Sequence, residues 1–182
     1  MSFTKSSLRS KILSKRNSLL LEDIAHHSEK ISKRILKHPK FLDSNSIFLY
    51  FSIGSEVSTT FIIEESLKLG KNVFLPVLDI SENLSFHKFE SFSNMKKGKF
   101  GILEPTSKVS LVDPDLVVVP GLAFDLHLHR LGYGKGYYDR FLKSTSSYKI
   151  GICFDFQIVE KIPNESHDQK MDEVISEKRI LV

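Results

Sequence analysis

Three glycines set two residues apart, Gly132, Gly134 and Gly136, share one short stretch with two cations, Arg130 and Lys135. Glycine accepts backbone angles that other residues find costly, and its missing side chain lets a ligand approach the peptide N–H groups closely. Such a loop suits phosphate. The apolar run Leu116 to Val119 comes directly before Pro120-Gly121, and Tyr137-Tyr138-Asp139-Arg140-Phe141-Leu142 follows the glycines with Tyr138, Phe141 and Leu142 at helical spacing. The stretch reads as a strand, a glycine loop and a helix start, whose N–H groups would converge with Arg130 and Lys135 on one anion. Its G-x-G-x-G spacing is neither the Rossmann fingerprint nor the P-loop. A flexible surface hairpin turn is the other reading; the coincidence of cations with glycines favours phosphate.

Further candidates lie on the elements around this loop. Thr4 can cap a helix from Lys5 to Asn17 with Leu8 and Ile12 as its apolar stripe, and Lys5 and Arg9 then share one face. By spacing alone that pair reads as a solvated face. A second helical pattern through Ile24, Ile31, Ile35 and Leu36 ends before Pro39. Ser46 to Phe51 is a continuous apolar run of the kind buried in a parallel sheet, and the polar loop after it carries Glu56. Ligands of open α/β sheets collect at the carboxyl ends of strands, so Glu56 is a site candidate, with a solvated loop glutamate as the alternative. Thr59 would cap the next helix, Asn72 to Val77 reads as a strand, and Leu84 to Phe89 as an edge strand. Ser91 to Pro105 reads as a basic connecting loop with Lys96, Lys97, Lys99 and Phe100. Lys149 to Cys153 and Arg179 to Val182 complete the strands. The alternation predicts an α/β fold, a single three-layer domain over residues 1–182 with a largely parallel central sheet flanked by helices.

Composition narrows the classes. Of 182 residues 41% are hydrophobic and 26% charged, as in an ordinary globular chain. No apolar run reaches the roughly 20 residues needed to span a bilayer, and the basic N-terminal stretch lacks the apolar core of a secretory signal. The single cysteine, Cys153, excludes an internal disulfide and a cysteine-based metal cluster, sits in apolar company as a packed residue, and fits a reducing compartment, which predicts a cytoplasmic protein. A net charge of +4 and a pI near 9.0 favour an anionic ligand without choosing among nucleotide, polyanionic cofactor and nucleic acid. His127 and His129 alternate as a metal pair could, but without further ligands they read as exposed turn residues.

Arg130-Leu131-Gly132-Tyr133-Gly134-Lys135-Gly136-Tyr137-Tyr138-Asp139 resembles the signature of the 5-formyltetrahydrofolate cyclo-ligases, also called 5,10-methenyltetrahydrofolate synthetases. Lys5 with Arg9, Glu56-Val57 with Thr59, Gly101-Ile102 with Glu104-Pro105, and His167-Asp168 with Asp172-Glu173-Val174 resemble other family segments in the same order, so the likeness covers nearly the whole chain. It implies ATP-driven ring closure of 5-formyltetrahydrofolate to 5,10-methenyltetrahydrofolate with release of ADP and phosphate. It further implies nucleotide contacts from Lys5, Arg9, Arg130, Leu131, Gly132, Tyr133, Gly134, Lys135, Gly136, Tyr137 and Tyr138. Lys135 and Arg130 would neutralise the transferred phosphoryl group, and Phe51, Glu56, Tyr133 and Tyr137 would face the folate. Asp139 and Asp172 would hold Mg²⁺, a cation that commonly takes one or two protein carboxylates beside phosphates and water.

The resemblance implies folate and ATP as partners, with no nucleic acid or membrane, and a monomer is expected. A nucleotide-binding α/β protein without folate activity, and a nucleic-acid binder using Lys96, Lys97 and Lys99, are the alternatives. The chain departs from the signature at Leu128, where the family usually has glycine. Leucine resists a left-handed turn, which predicts a different hairpin ahead of Arg130.

Overall fold

In the structure, a computed structural model, residues 4–79, 83–98, 101–111, 113–163, 165 and 168–182 are described. Lys99, Phe100 and His167 lie outside them. The helices are α1 (Lys5–Asn17), α2 (Leu21–Leu36), α3 (Pro39–Asp43), α4 (Thr60–Lys68) and α5 (Tyr137–Lys143). The first strands are β1 (Ser46–Phe48), β2 (Asn72–Leu78), β3 (Leu84–Phe89), β4 (Met95–Lys97), β5 (Leu103–Pro105) and β6 (Leu116–Pro120). The rest are β7 (Ala123–Asp125), β8 (Arg130–Leu131), β9 (Tyr148–Ile152), β10 (Ile158–Val159), β11 (Glu173–Ile175) and β12 (Ile180–Leu181).

The main sheet has seven strands in the order β12-β11-β9-β6-β1-β2-β3. Its five inner strands are parallel, and β12 and β3 close the two edges antiparallel. Alternation along the strands builds two cores. Ile47, Leu116, Val118 and Ile150 point to the face covered by α2, α3 and α4 through Ile31, Ile35, Phe41, Ile62 and Ile63. Phe48, Val117 and Val119 point to the other face, where α5 seals them with Phe141 and Leu142. A strand buried on both faces must be apolar at every position, which is why β6 carries an unbroken Leu-Val-Val-Val run. This is the expected three-layer arrangement. Cys153 is buried in the second core, where burial pushes its thiol well above the ordinary range. Among the described residues no helix is long and apolar enough to cross a membrane.

Helix α1 runs from Lys5 to Asn17 as the pattern predicts, with Thr4 accepting a hydrogen bond from Ser7 N at 3.2 Å. It lies on a separate small core, Leu8 and Ile12 against Ala123, Leu131 and Ile162. Three local expectations change, and the helix expected to end before Pro39 does so. The first strand ends at Phe48 rather than Phe51, because beyond it Tyr50 turns its hydroxyl to Val57 O at 2.8 Å while its carbonyl accepts from Thr59 Oγ1 at 2.6 Å. Thr59 thus stands at the start of α4 without capping it by its side chain. Pro39 both follows α2 and opens α3, since a proline at the first helical position has its φ already set. The segment expected as a loop contains the antiparallel pair β4 and β5, which leaves Lys96 and Lys97 exposed on one strand.

The hairpin between β7 and β8 keeps the left-handed turn, with Leu128 at φ 67°. That conformation costs a non-glycine residue about 1–2 kcal/mol. The buried Asp125 offsets it: Oδ1 accepts from the backbone N–H groups of His127 and His129, both at 2.9 Å, and Oδ2 accepts from Ile162 N at 2.9 Å. Leu128 O accepts from Met171 N at 2.9 Å, and its side chain packs on the second core. The substitution is therefore absorbed, and Arg130 leaves the hairpin on β8 in register with Phe124. His127 is exposed, and the His129 ring lies 3.2 Å from Asp125 Oδ2.

Candidate functional site

Strand order reverses between β1 and β6, so the connections after these neighbouring strands diverge and leave a crevice at their carboxyl ends. A cavity of about 700 Å³ occupies it. Tyr50 and Phe51 reach it from the segment after β1, Pro120 and Gly121 from the end of β6 and the residue beyond it, and the glycine loop forms its rim. Pro76, Leu78, Leu84 and Ile102 make an apolar wall. Lys5 and Arg9 project into it from the first turns of α1.

Two fixed contacts shape the loop. Arg9 Nε donates to Gly132 O at 2.8 Å, so this guanidinium holds the loop backbone as well as facing the cavity. Gly134 has φ 94°, and a side-chain carbon there would come within 3.3 Å of the Arg9 guanidinium. Gly136 sits at φ 69° immediately before α5. Both positions require glycine for backbone reasons.

Arg130 is buried and held at both ends of its guanidinium. Nη2 donates to Asp139 Oδ1 at 2.9 Å, Nη1 donates to Pro120 O at 3.3 Å, and the group lies over the Tyr138 ring. Its Nε is buried without a partner among the described residues. Lys135 differs: it is exposed at the loop tip and forms no ion pair there among the described residues. Arg130 is a rigid cation and Lys135 a movable one. Leu131 is buried in the small core beneath α1, so its contribution is to anchor the loop. Tyr137 and Tyr138 line the wall at the start of α5.

Lys5 Nζ donates to Asp168 Oδ2 at 2.6 Å and to Glu165 Oε1 at 3.1 Å. Partial burial opposes its charge, but these two carboxylates outweigh burial and hold the ammonium above its ordinary range. Glu56 is buried, at 8% exposure. Burial raises its carboxyl above the usual range, against the opposing effects of a bond from Ile53 N at 3.1 Å, the nearby Arg16, and Tyr133 Oη donating to Oε1 at 3.2 Å. Glu56 is thus a built part of the pocket rather than a solvated loop residue.

The site brings together every sequence candidate except Asp172. That residue is exposed at the amino-terminal edge of the sheet, where Oδ2 accepts from Lys149 N at 2.7 Å and its own N–H donates to Lys149 O at 2.9 Å. It joins the starts of β9 and β11, on the opposite edge from the cavity. The correction is geometric: the parallel strand beginning at Glu173 separates Asp172 from the carboxyl ends. Asp168, four residues earlier and not singled out for chemistry by spacing, lines the cavity instead. Sequence reading also missed Arg16, which is buried on α1 in phase with Lys5 and Arg9, and Glu104, a buried carboxylate accepting from Leu78 N at 3.4 Å in the apolar wall. For Arg16 the signal was available, since positions 5, 9, 12 and 16 follow a helical period with Ile12 in the core.

Among the described residues no group of three or more His, Cys, Asp or Glu comes together to hold a metal ion. The donors present still suit Mg²⁺, which needs only one or two carboxylates when phosphates supply further oxygens. Asp139 and Asp168 are the aspartates on the cavity wall, and Asp139 presents its carboxylate from the glycine-loop side.

Fold and site together define an α/β protein with a cation-bearing glycine loop at the switch point of its sheet. The sequence profile of the 5-formyltetrahydrofolate cyclo-ligase family matches residues 1–177. The probable 5-formyltetrahydrofolate cyclo-ligase of Schizosaccharomyces pombe is 32% identical across 100% of this chain and 98% of its own. That of Escherichia coli is 30% identical across 93% of this chain and 98% of its own. The solved 5,10-methenyltetrahydrofolate synthetase of Aquifex aeolicus superposes with a TM-score of 0.89 at 37% identity, covering 97% of this chain and 91% of that one. The chain belongs to the 5-formyltetrahydrofolate cyclo-ligase family.

Proposed function

We propose that this protein converts 5-formyltetrahydrofolate to 5,10-methenyltetrahydrofolate, consuming ATP in the presence of Mg²⁺ and releasing ADP and phosphate. The observation that carries this reading is the hydrogen bond from Tyr133 to Glu56 at 3.2 Å. It joins the cationic glycine loop to a buried carboxylate within one cavity, so a triphosphate and an N–H-bearing heterocycle would lie side by side.

The formyl group on N5 is an amide, a poor electrophile with a poor leaving oxygen. In the proposed sequence its oxygen attacks the γ-phosphorus and ADP departs with the bridging oxygen. N10 then attacks the activated carbon and loses its proton, the carbon–oxygen bond breaks and phosphate leaves. Catalysis of phosphoryl transfer rests on positioning and charge neutralisation. Arg9, fixed on Gly132 O, and Arg130, fixed between Asp139 and Pro120 O, supply preorganised positive charge, while Lys135 is free to follow the phosphoryl group as it moves. Lys5 would exchange its carboxylate partners for a phosphate. Mg²⁺, held by Asp139 with Asp168, would offset charge on the phosphate oxygens.

Glu56 would accept N–H bonds of the pterin, and Phe51, Tyr137 and the apolar wall would hold its ring and keep water from the activated carbon. A monomer acting in the cytoplasm fits this reading. The test is direct: purified protein with 5-formyltetrahydrofolate, ATP and Mg²⁺ should generate the near-ultraviolet absorbance of the methenyl product. Absence of an ATP-dependent product would reject the proposal, and ATP turnover indifferent to the folate would favour a nucleotide-binding protein of the same fold.

A further inference from the structure

We propose that Arg16 is a positioning residue, which orients Glu56 and Tyr133 and thereby ties the folate side of the pocket to the helix that carries Lys5 and Arg9. This rests on the reading of Glu56 as the folate-facing carboxylate. Arg16 is 4% exposed, yet it faces a cavity wall rather than the apolar core. Its Nη2 donates to Tyr133 Oη at 2.6 Å, its Nε donates to Ser55 Oγ at 3.1 Å, and Nη1 lies 4.0 Å from Glu56 Oε1. Ser55 Oγ in turn donates to Asn17 Oδ1 at 2.6 Å, which closes the contact between the end of α1 and the Glu56 loop.

The direction of the Arg16–Tyr133–Glu56 chain is forced. A guanidinium can only donate and a carboxylate can only accept, so the phenol must accept from Arg16 and give its single proton to Glu56 Oε1. Charge-assisted bonds at both ends fix the Tyr133 side chain although half of that residue is open to solvent. Glu56 Oε2 is occupied by Ile53 N, so both of its oxygens are aimed by the protein before any ligand arrives.

The groups facing Glu56 are Arg16 from α1, Tyr133 from the glycine loop, Tyr50 beyond β1 and Tyr138 from α5. Burial holds all three phenols above their ordinary range, so at neutral pH they are uncharged and Arg16 is the cation of this set. Burial favours the neutral acid of Glu56 and Arg16 opposes it. Without Arg16 the carboxylate would lose its counter-charge and its orienting phenol together.

The experiment follows the Glu56 side chain directly, by ¹³C NMR titration of the ligand-free protein labelled at glutamate, alongside steady-state kinetics. Arg16→Met should raise the Glu56 midpoint by about one pH unit or more, the size of effect expected of an opposite charge within 4–6 Å. The acid limb of kcat/KM for the folate should move to higher pH with it. KM for the folate should rise by about tenfold, the effect of losing one pre-oriented charged contact, with KM for ATP changing far less. Arg16→Lys should restore most of the midpoint, and Tyr133→Phe should shift it in the same direction by breaking the relay.

A folded Arg16→Met with an unmoved Glu56 midpoint would overturn the proposal, as would equal losses in both KM values. If Arg16→Met does not fold, Tyr133→Phe decides: an unshifted midpoint there rejects the relay. A wild-type protein that makes no methenyl product would remove the folate reading, while the titration would still support or reject the Arg16 linkage.

Discussion

Arg130 and Asp139 bridge the two ends of the glycine loop, Nη2 to Oδ1 at 2.9 Å. The pair makes the loop a closed staple, with β8 entering and α5 leaving at nearly the same point. It also couples the cation proposed to meet phosphate to the carboxylate proposed to hold Mg²⁺. Asp139→Asn retains an acceptor for Arg130 but removes the charge, so it should raise the Mg²⁺ concentration for half-maximal activity by about 10–100-fold, with little change in Tm. A metal titration that overlays the wild type would speak against ligation by Asp139.

The two C-terminal aspartates separate by position. Asp168 lines the cavity, bonded to Lys5, whereas Asp172 joins β9 to β11 at the far edge of the sheet. Asp168→Asn should raise the Mg²⁺ requirement and KM for ATP. Asp172→Ala should leave the metal titration unchanged and lower Tm modestly, because Lys149 N at the start of β9 loses its side-chain acceptor. Parallel metal titrations and melting curves distinguish them, and the opposite pattern would restore Asp172 as the ligand.

Lys135 is exposed and unpaired among the described residues, so removing its charge should not disturb the fold. Lys135→Ala should lower kcat by about 10²–10³-fold, the loss seen when one donor to charge developing in the transition state is deleted, with Tm within about 1 °C of wild type. Single-turnover measurements of methenyl formation check this. Wild-type turnover would exclude Lys135 from phosphoryl transfer.

The strands and their carboxyl-end loops were legible because a parallel sheet buried on both faces demands unbroken apolar runs such as Leu116 to Val119. The glycine loop was legible because its φ values at Gly134 and Gly136 admit little else. The helical period placed Arg16 on the inward face with Ile12, but its role was not legible, since a cation on an amphipathic helix looks solvated until the tertiary fold sets Tyr133 and Glu56 beside it. The choice between Asp168 and Asp172 was equally hidden. Both stand in one resembling segment, and only the start of β11 at Glu173 decides which of them faces the cavity. The β4–β5 pair was missed because each strand is three residues long, too short for alternation to register.

Leu128 tests how a left-handed turn is maintained without glycine. Leu128→Gly would relieve about 1–2 kcal/mol of backbone strain. It would also lose about 0.5–1 kcal/mol to the greater entropy of the unfolded glycine chain and about 1 kcal/mol of partial side-chain burial. The terms nearly cancel, so Tm should stay within about 4 °C of wild type, with activity retained. A larger rise would mean that strain dominates, and a larger fall that packing against the second core does.

Asp113 supplies an acid-dependent contribution to stability at the foot of the sheet. Its carboxylate accepts from Thr145 Oγ1, from Ser146 N at 3.1 Å and Oγ at 2.8 Å, and from Ser147 Oγ at 3.0 Å. These bonds, that from Thr145 first, hold its pKa down to about 2 from an ordinary 3.8. The folded value lies below the unfolded one, so the unfolded chain takes up the proton first as pH falls. The stabilisation is therefore complete above 3.8 and is lost as pH drops through about 2. Solvent exposure keeps the effect small. Asp113→Asn should lower Tm by a small, constant amount at neutral pH, and the gap to wild type should close as both are titrated toward pH 2. A gap that persists to the acid end would mean that Asp113 acts through packing and neutral hydrogen bonds rather than through its charge.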